Sequence, residues 1–192
     1  LEQAERSLKF IRESSAAADA NADETWETLL HVVPVENYAK EQTASSYAEA
    51  GIYAMERTAK SEYATKPIHI APENIFPEMG YGSHPEELID LVKKGREKMV
   101  ELLTEKFIED PGKRRDRHGN LIKVPNPNYA GITKKEAEKK AVDHIKATID
   151  TQHLGMWWKH FTPKPGETKE QRKERFDGWY MEQVKKMRKE NI

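Results

Sequence analysis

The sequence predicts an α/β fold, a parallel (β/α)8 TIM barrel of which this chain holds only a central portion, about three β/α units. Three observations predict it. Amphipathic helical stretches alternate with short β-prone runs; the runs end beside carboxylate or imidazole side chains; and 192 residues fall short of the ~250 that a complete barrel takes. Three parallel strands alone would leave two open edges, so neighbouring units are expected outside the sequence. The alternative is a small open α/β sandwich complete in itself.

Leu1, Ala4, Leu8 and Ile11 recur at three- and four-residue spacing and predict an opening helix. An Ala-rich polar stretch, 14–24, leads to Leu29-Leu30-His31-Val32-Val33-Pro34-Val35, which reads as a buried strand. A helix is expected over 43–60, with Tyr47, Ala50 and Ala54 inward, and then a second strand over 68–71. Ser83-His84-Pro85-Glu86 has the form of a capping box with proline in the first turn, opening a helix through Leu88, Leu91, Val92, Met99, Leu102 and Leu103. Residues 109–132 are rich in Pro, Gly, Asn and charge and are expected as a long loop insertion. Such a loop either covers a pocket or meets a second subunit of a homo-oligomer. Thr133 caps a helix through Ala137, Ala141 and Ile145 that feeds a third strand, 146–149, and Thr168 starts a last helix with Phe176, Trp179, Tyr180, Val184 and Met187 on one side. The expected order is α-β-α-β-α-α-β-α in a single domain, 1–192. Leu1 falls inside a helical pattern and Ile192 where a next strand would begin, as expected of part of a larger barrel.

Composition narrows the function classes. With 36% hydrophobic and 34% charged residues and a net charge of −1, the chain has both signs interspersed and no footprint for bulk nucleic-acid binding. The basic run Lys113-Arg114-Arg115-Asp116-Arg117 reads as a solvated loop. No cysteine is present, which excludes disulfides, thiolate catalysis and Cys-ligated zinc and accords with the expected cytoplasmic location. No apolar run approaches the ~18 residues of a membrane span, and a membrane partner is not expected.

The chemistry concentrates at two run ends. Ile149-Asp150-Thr151-Gln152-His153 places a carboxylate and an imidazole three positions apart, and Ile70-Ala71-Pro72-Glu73-Asn74 ends in a second carboxylate before a Gly-rich loop holding Tyr81. Two carboxylates offset most of a +2 charge, and an imidazole shifts preference toward Mn, Co, Zn or Fe over Mg. Side chains at the C-terminal ends of barrel strands converge on one face, so Glu73, Asp150, His153 and His31 are expected to meet there.

These two stretches resemble the xylose isomerase-like TIM-barrel superfamily, which includes divalent-metal sugar isomerases and epimerases and the endonuclease IV type of abasic-site nuclease. The resemblance covers roughly 29–161. It implies a divalent metal (Mn, Co, Mg or Zn) held by Glu, Asp, His and Glu from four successive strands, of which Glu73 and Asp150 match the first two and the others would lie beyond Ile192. It implies a sugar or sugar-phosphate substrate, with Glu73 as both ligand and base. The metal would stabilise the enediolate formed when a proton leaves the carbon beside a carbonyl. His153 would act in catalysis or bind a substrate oxygen beside the metal, or in the nuclease branch ligate another metal, and His31, Tyr81 and Trp157 would line the substrate site. The nuclease branch implies instead a phosphodiesterase with two or three metals, but Leu30-His31-Val32-Val33-Pro34 lacks that branch's His-Pro-Gly run. A third class keeps the barrel without the metal site.

Structural assignments compete at each position. Asp150 could cap the helix that follows it, Glu73 pair with a lysine, and His31 and His69 serve as core histidines. The Trp157-Trp158 pair has the character of core, and 164–173 that of a solvated face.

Overall fold

Helical periodicity governs most of the chain in the computed structural model. It describes every residue except Leu1, Val33 and Arg117, and every other side chain except those of Glu2, Glu27, Leu30 and His31. The helices in chain order are α1 (Glu2–His31), α2 (Val35–Lys60), α3 (Pro85–Thr104), α4 (Lys134–His144), α5 (Thr151–Met156) and α6 (Lys169–Lys189). Between α3 and α4, β1 (Phe107–Glu109) and β2 (Lys123–Pro125) pair antiparallel with Ile108 opposite Val124. The chain divides into two compact units, 1–39 and 40–192.

The first unit contains α1 and the start of α2. The apolar run 29–35 is not a strand: α1 continues through it to His31, and α2 opens as the Tyr38 N–H donates to the Pro34 carbonyl at 3.1 Å. A short apolar run has no period of its own, and here the preceding helix extends into it as far as His31.

In the second unit, α3 supplies the largest share of the core. Its apolar residues recur at three- and four-residue spacing, and Leu88, Val92, Met99 and Leu103 are all buried. Burial of each stabilises by roughly 1.5–3 kcal/mol. The N-terminus of α3 is capped one residue later than the sequence suggested: His84 Nδ1 accepts from the Glu86 N–H and the Glu87 carboxylate accepts from the His84 N–H, with Pro85 in the first turn. Ala137 and Ala141 of α4 pack on α3, their small side chains allowing close approach. Gly51 of α2 does the same for Ile145: a Cβ at Gly51 would sit 2.7 Å from Ile145 Cγ1 and 3.0 Å from Met99 Sδ.

Arg96 ties these elements to the end of α6. It is 9% exposed, and its guanidinium donates to the Ile145 carbonyl at 3.0 and 2.8 Å, to the Glu190 carbonyl at 3.2 Å and to the Asn191 carbonyl at 2.8 Å. Desolvation lowers its pKa and the Glu190 carboxylate opposes that shift. The planar fork suits three carbonyls from two helix ends in a way that a lysine could not reproduce.

Thr168 and Gln171 form a reciprocal cap at the start of α6. The same turn carries Glu167, which accepts from Arg175 at 2.7 and 2.8 Å and from the Lys164 N–H at 2.8 Å. Those Arg175 bonds, followed by the backbone bond, bring the Glu167 pKa down to about 2. Phe176 packs edge-on against Trp158 and Phe161, joining α6 to the segment after α5.

The barrel expected from the sequence is overturned. The described residues are mostly helical, their one sheet has two antiparallel strands, and no parallel β/α barrel pattern is present. Of the three expected strands, the first belongs to α1 as far as His31 and to α2 from Val35, and its Val33 lies outside the described residues. The other two, 68–71 and 146–149, are extended segments joined by isolated parallel bridges, Ile70 with Ile145 and Glu73 with Thr148. Pro72 has no N–H to continue a ladder, and no third segment lies alongside to make a sheet among the described residues. The 109–132 stretch folds back as the β1–β2 hairpin, closed by Asp116, whose carboxylate accepts from the His118 and Asn120 N–H groups.

Two outcomes are expected. Arg96→Met leaves the Ile145, Glu190 and Asn191 carbonyls without that donor and lowers the unfolding free energy by about 2–3 kcal/mol in urea titrations. Since Glu167 falls from 4.5 in the unfolded reference to about 2 in the fold, its contribution is complete above about pH 4.5 and is lost as pH falls through about 2; Glu167→Gln therefore flattens stability against pH across that window, read by acid titration of the far-UV circular dichroism.

Candidate metal centre

Main-chain pairing places the site. The Ile70 N–H donates to the His144 carbonyl at 3.0 Å, the Lys146 N–H to the Ile70 carbonyl at 2.9 Å and the Thr148 N–H to the Pro72 carbonyl at 2.9 Å. Where Pro72 interrupts this pattern, a side chain continues it. Asn74 is 1% exposed; its Oδ1 accepts from the Asp150 N–H at 2.7 Å and its Nδ2 donates to the Asp150 carbonyl at 3.2 Å. The amide thus imitates one more step of strand pairing and fixes the Asp150 backbone beside Glu73.

Asp150 is the N-cap of α5. Its Oδ1 accepts from the Gln152 N–H at 2.6 Å and the His153 N–H at 3.2 Å, and these backbone bonds hold its carboxyl below the usual carboxylate range. The capping assignment that competed with the ligand role is therefore present in the fold. It uses one oxygen. Oδ2 lies 3.6 Å from His153 Nε2.

The imidazole is oriented by main chain. His153 Nδ1 lies 2.7 Å from the Asn74 carbonyl, which can only accept, so Nδ1 carries a proton and, in the neutral ring, Nε2 carries the lone pair. A histidine that ligates a metal usually donates its other N–H to a carbonyl or carboxylate in this way. Phe76 covers the ring at a centroid distance of 4.2 Å. The Glu73 side chain is about half exposed, with Oε1 3.7 Å from His153 Nδ1.

Glu73, Asp150 and His153 each offer a ligand atom, and the three atoms lie within 4.8 Å of one another. No lysine or arginine pairs with either carboxylate among the described residues. One nitrogen and two oxygen donors from three residues suit a divalent ion of the Mn, Co, Zn or Fe kind, with positions left for water or substrate. The donor set fits such an ion.

The other candidates lie elsewhere or outside the description. His31 closes α1, and its side chain is outside the described residues. The Tyr81 hydroxyl donates to Asp90 Oδ2 at 2.7 Å and Lys40 Nζ sits 3.9 Å from its ring centroid. Trp157 Nε1 donates to the Ser83 carbonyl at 3.3 Å, and its ring meets those of His84, His160 and Trp179. Neither Tyr81 nor Trp157 has a described contact with the triad. His69 is exposed. Asn74 and Phe76 were missed as positioning residues, although both follow Glu73 within three positions.

No protein-family model matches this chain, and no curated protein or solved structure does.

Asn74→Ala strips the Asp150 N–H and carbonyl of their partners at a buried position, at a cost of about 1–3 kcal/mol for each group left without one. Chemical denaturation checks the loss, and the His153 ring resonances broaden or shift as its orienting loop loosens.

Proposed function

We propose that this chain binds one divalent cation at Glu73, Asp150 and His153 and uses it in the isomerisation or epimerisation of a sugar or sugar phosphate in the cytoplasm. The observation that carries the reading is the convergence of two carboxylates, with no lysine or arginine paired to either among the described residues, on an imidazole whose Nδ1 is committed to the Asn74 carbonyl. Like charges this close are unfavourable without a cation between them. The resemblance of 70–74 and 149–153 to the xylose isomerase-like group supports the choice of substrate class; it does so through the residues, because the barrel itself is absent from the described residues.

A bound divalent ion supplies polarisation of neighbouring substrate oxygens, which acidifies the carbon-bound proton beside a carbonyl. The chain's own residues do the rest. Asp150 stays ionised because two backbone N–H groups hold its carboxyl down, and its Oδ2 faces the site. His153 is kept in one tautomer and one orientation by Asn74 and Phe76. Glu73, the most exposed of the three, is the residue placed to move a proton on and off a sugar carbon. Among the described residues this is the one group of its kind, which favours a single ion over the two- or three-metal cluster of a phosphodiesterase.

The test separates ligation from capping. Asn is as good an N-cap as Asp, so Asp150→Asn keeps the start of α5 and removes the charge. Isothermal titration with Mn, Co, Zn and Mg is expected to give one ion per chain in the wild type, with affinity lowered by roughly tenfold or more in Asp150→Asn, Glu73→Gln and His153→Ala. Solvent deuterium should exchange into a sugar at the carbon next to the carbonyl only with the metal present. Absence of binding in the wild type, or binding that all three variants keep, sinks the reading and leaves Asp150 as a cap.

A further inference from the structure

The extended segments 68–74 and 144–150 pair with each other and, among the described residues, with no third segment. The Lys146 and Thr148 N–H groups point inward, to the Ile70 and Pro72 carbonyls. Successive residues of an extended chain turn their backbone groups to opposite edges, so Ala147 and Ile149 present theirs outward. Neither residue's N–H or C=O has a hydrogen-bond partner among the described residues, while both side chains pack partly buried against the core and hold the edge in place. A row of this kind is a template for another strand. The first unit is helical over Glu2–His31 and from Val35, and helices spend their backbone groups internally, so that unit has no strand to offer. The edge of 68–73 is blunted by Pro72 and by the Glu73 charge, whereas 146–149 holds no proline.

We propose that two copies of this chain join through the 146–149 edge, antiparallel, about a two-fold axis at Thr148. The outward groups select that register. Ala147 stands opposite Ile149 of the second copy, and each such pair exchanges both N–H to C=O bonds, which engages every outward group of the two residues. Other symmetric registers fall short. An axis at Ala147 would set Ile149 against Ile145, whose N–H already donates to the Ala141 carbonyl at 2.9 Å and whose carbonyl already accepts from Arg96. An axis at Ile149 would set Ala147 against Thr151, which belongs to α5.

Charge points the same way. A lysine on an edge ordinarily keeps strands apart, but with the axis at Thr148 the Lys146 of one copy lies across from Asp150 of the other, twice by symmetry. Opposite charges meet, and Thr148 faces its own copy. This inference does not rest on the metal reading: it uses the main chain of Ala147 and Ile149, and its test is run in EDTA so that no divalent ion can link two chains.

The chain has no cysteine, so introduced thiols report without background. Residues facing each other across the axis form a non-hydrogen-bonded pair with Cα atoms about 4.5 Å apart, within disulfide reach. Thr148→Cys should therefore cross-link to itself under mild oxidation, and Lys146→Cys, displaced from the axis, should not. Sedimentation in EDTA should show a concentration-dependent dimer for the wild type. Ala147→Pro, which removes an outward N–H that the single chain does not use, should raise the dissociation constant about tenfold or more. Far-UV circular dichroism checks the fold of the proline variant, and the two cysteine variants decide if that fold is lost. Three results each overturn the proposal: a wild type monomeric at every concentration, which leaves the edge to a strand of another protein; a cross-link in Lys146→Cys as ready as in Thr148→Cys; or a folded Ala147→Pro that dimerises as tightly as the wild type.

Discussion

The pairing of 68–74 with 144–150 is the constraint on which the rest of the second unit depends. It takes only a few main-chain bonds, and each is placed where another element ends. The His144 carbonyl, which accepts from Ile70, is the last of α4; His144 Nδ1 lies 2.6 Å from the Ile68 carbonyl; and Ile145, next in sequence, is both fully buried and the acceptor for Arg96. α4 therefore cannot shift along α3 without breaking the extended pair, and the pair cannot move without uncovering Ile145 from Met99 and Gly51. An arrangement of isolated bridges is weak in water. Here it is stabilised from one side by a hydrophobic core and held at its end by Arg96.

The same constraint produces the candidate site. Pro72 cannot donate, so the register would end there; the Asn74 side chain carries it to Asp150, five residues after Ile145. That one amide fixes the start of α5, and α5 then delivers His153 one turn later on the side facing Glu73. Because the Asn74 carbonyl also accepts from the His153 Nδ1–H, a single buried asparagine sets the position of one candidate ligand and the tautomer of another. Buried polar groups of this kind cost stability when half satisfied, and Asn74 is satisfied at each of its three groups used here.

Local signals were legible in the sequence wherever they rest on chemistry within four residues. The caps at Thr133 and Thr168, the apolar stripe of α3 and the carboxylates at the ends of two extended runs all follow from neighbouring residues. What the sequence could not show was whether those runs belong to a sheet. A β-prone run such as 146–149 becomes a strand only if other strands flank it, and the described residues provide one neighbour, interrupted by Pro72. The run 29–35 differs: Leu-Leu-His is as good a helix end as a strand, and α1 takes in its first three residues, Leu29 to His31. The grouping of Glu73, Asp150 and His153 needs the two extended segments side by side, a requirement short of a barrel. Asn74 and Phe76 escaped notice because an amide that stands in for a strand, or a phenyl ring over an imidazole, has no periodic signature.

Capping and metal ligation are compatible roles for Asp150 because a carboxylate has two oxygens with separate lone pairs. Oδ1 is spent on the N–H groups of Gln152 and His153, whose donation stabilises the anion; Oδ2 is left facing the imidazole. An anion fixed at a helix start is held in place by the local N–H groups and by the partial positive charge there, so it needs no lysine to keep it ionised. That explains how two carboxylates can stand close together before any ion arrives: one of them is already stabilised by the backbone. The cap is thus what stabilises one carboxylate of the cluster, and a divalent ion at the proposed site would offset the charge it shares with Glu73. In this arrangement Glu73 is the most exposed of the three side chains, while Asp150 and His153 are held by main-chain hydrogen bonds.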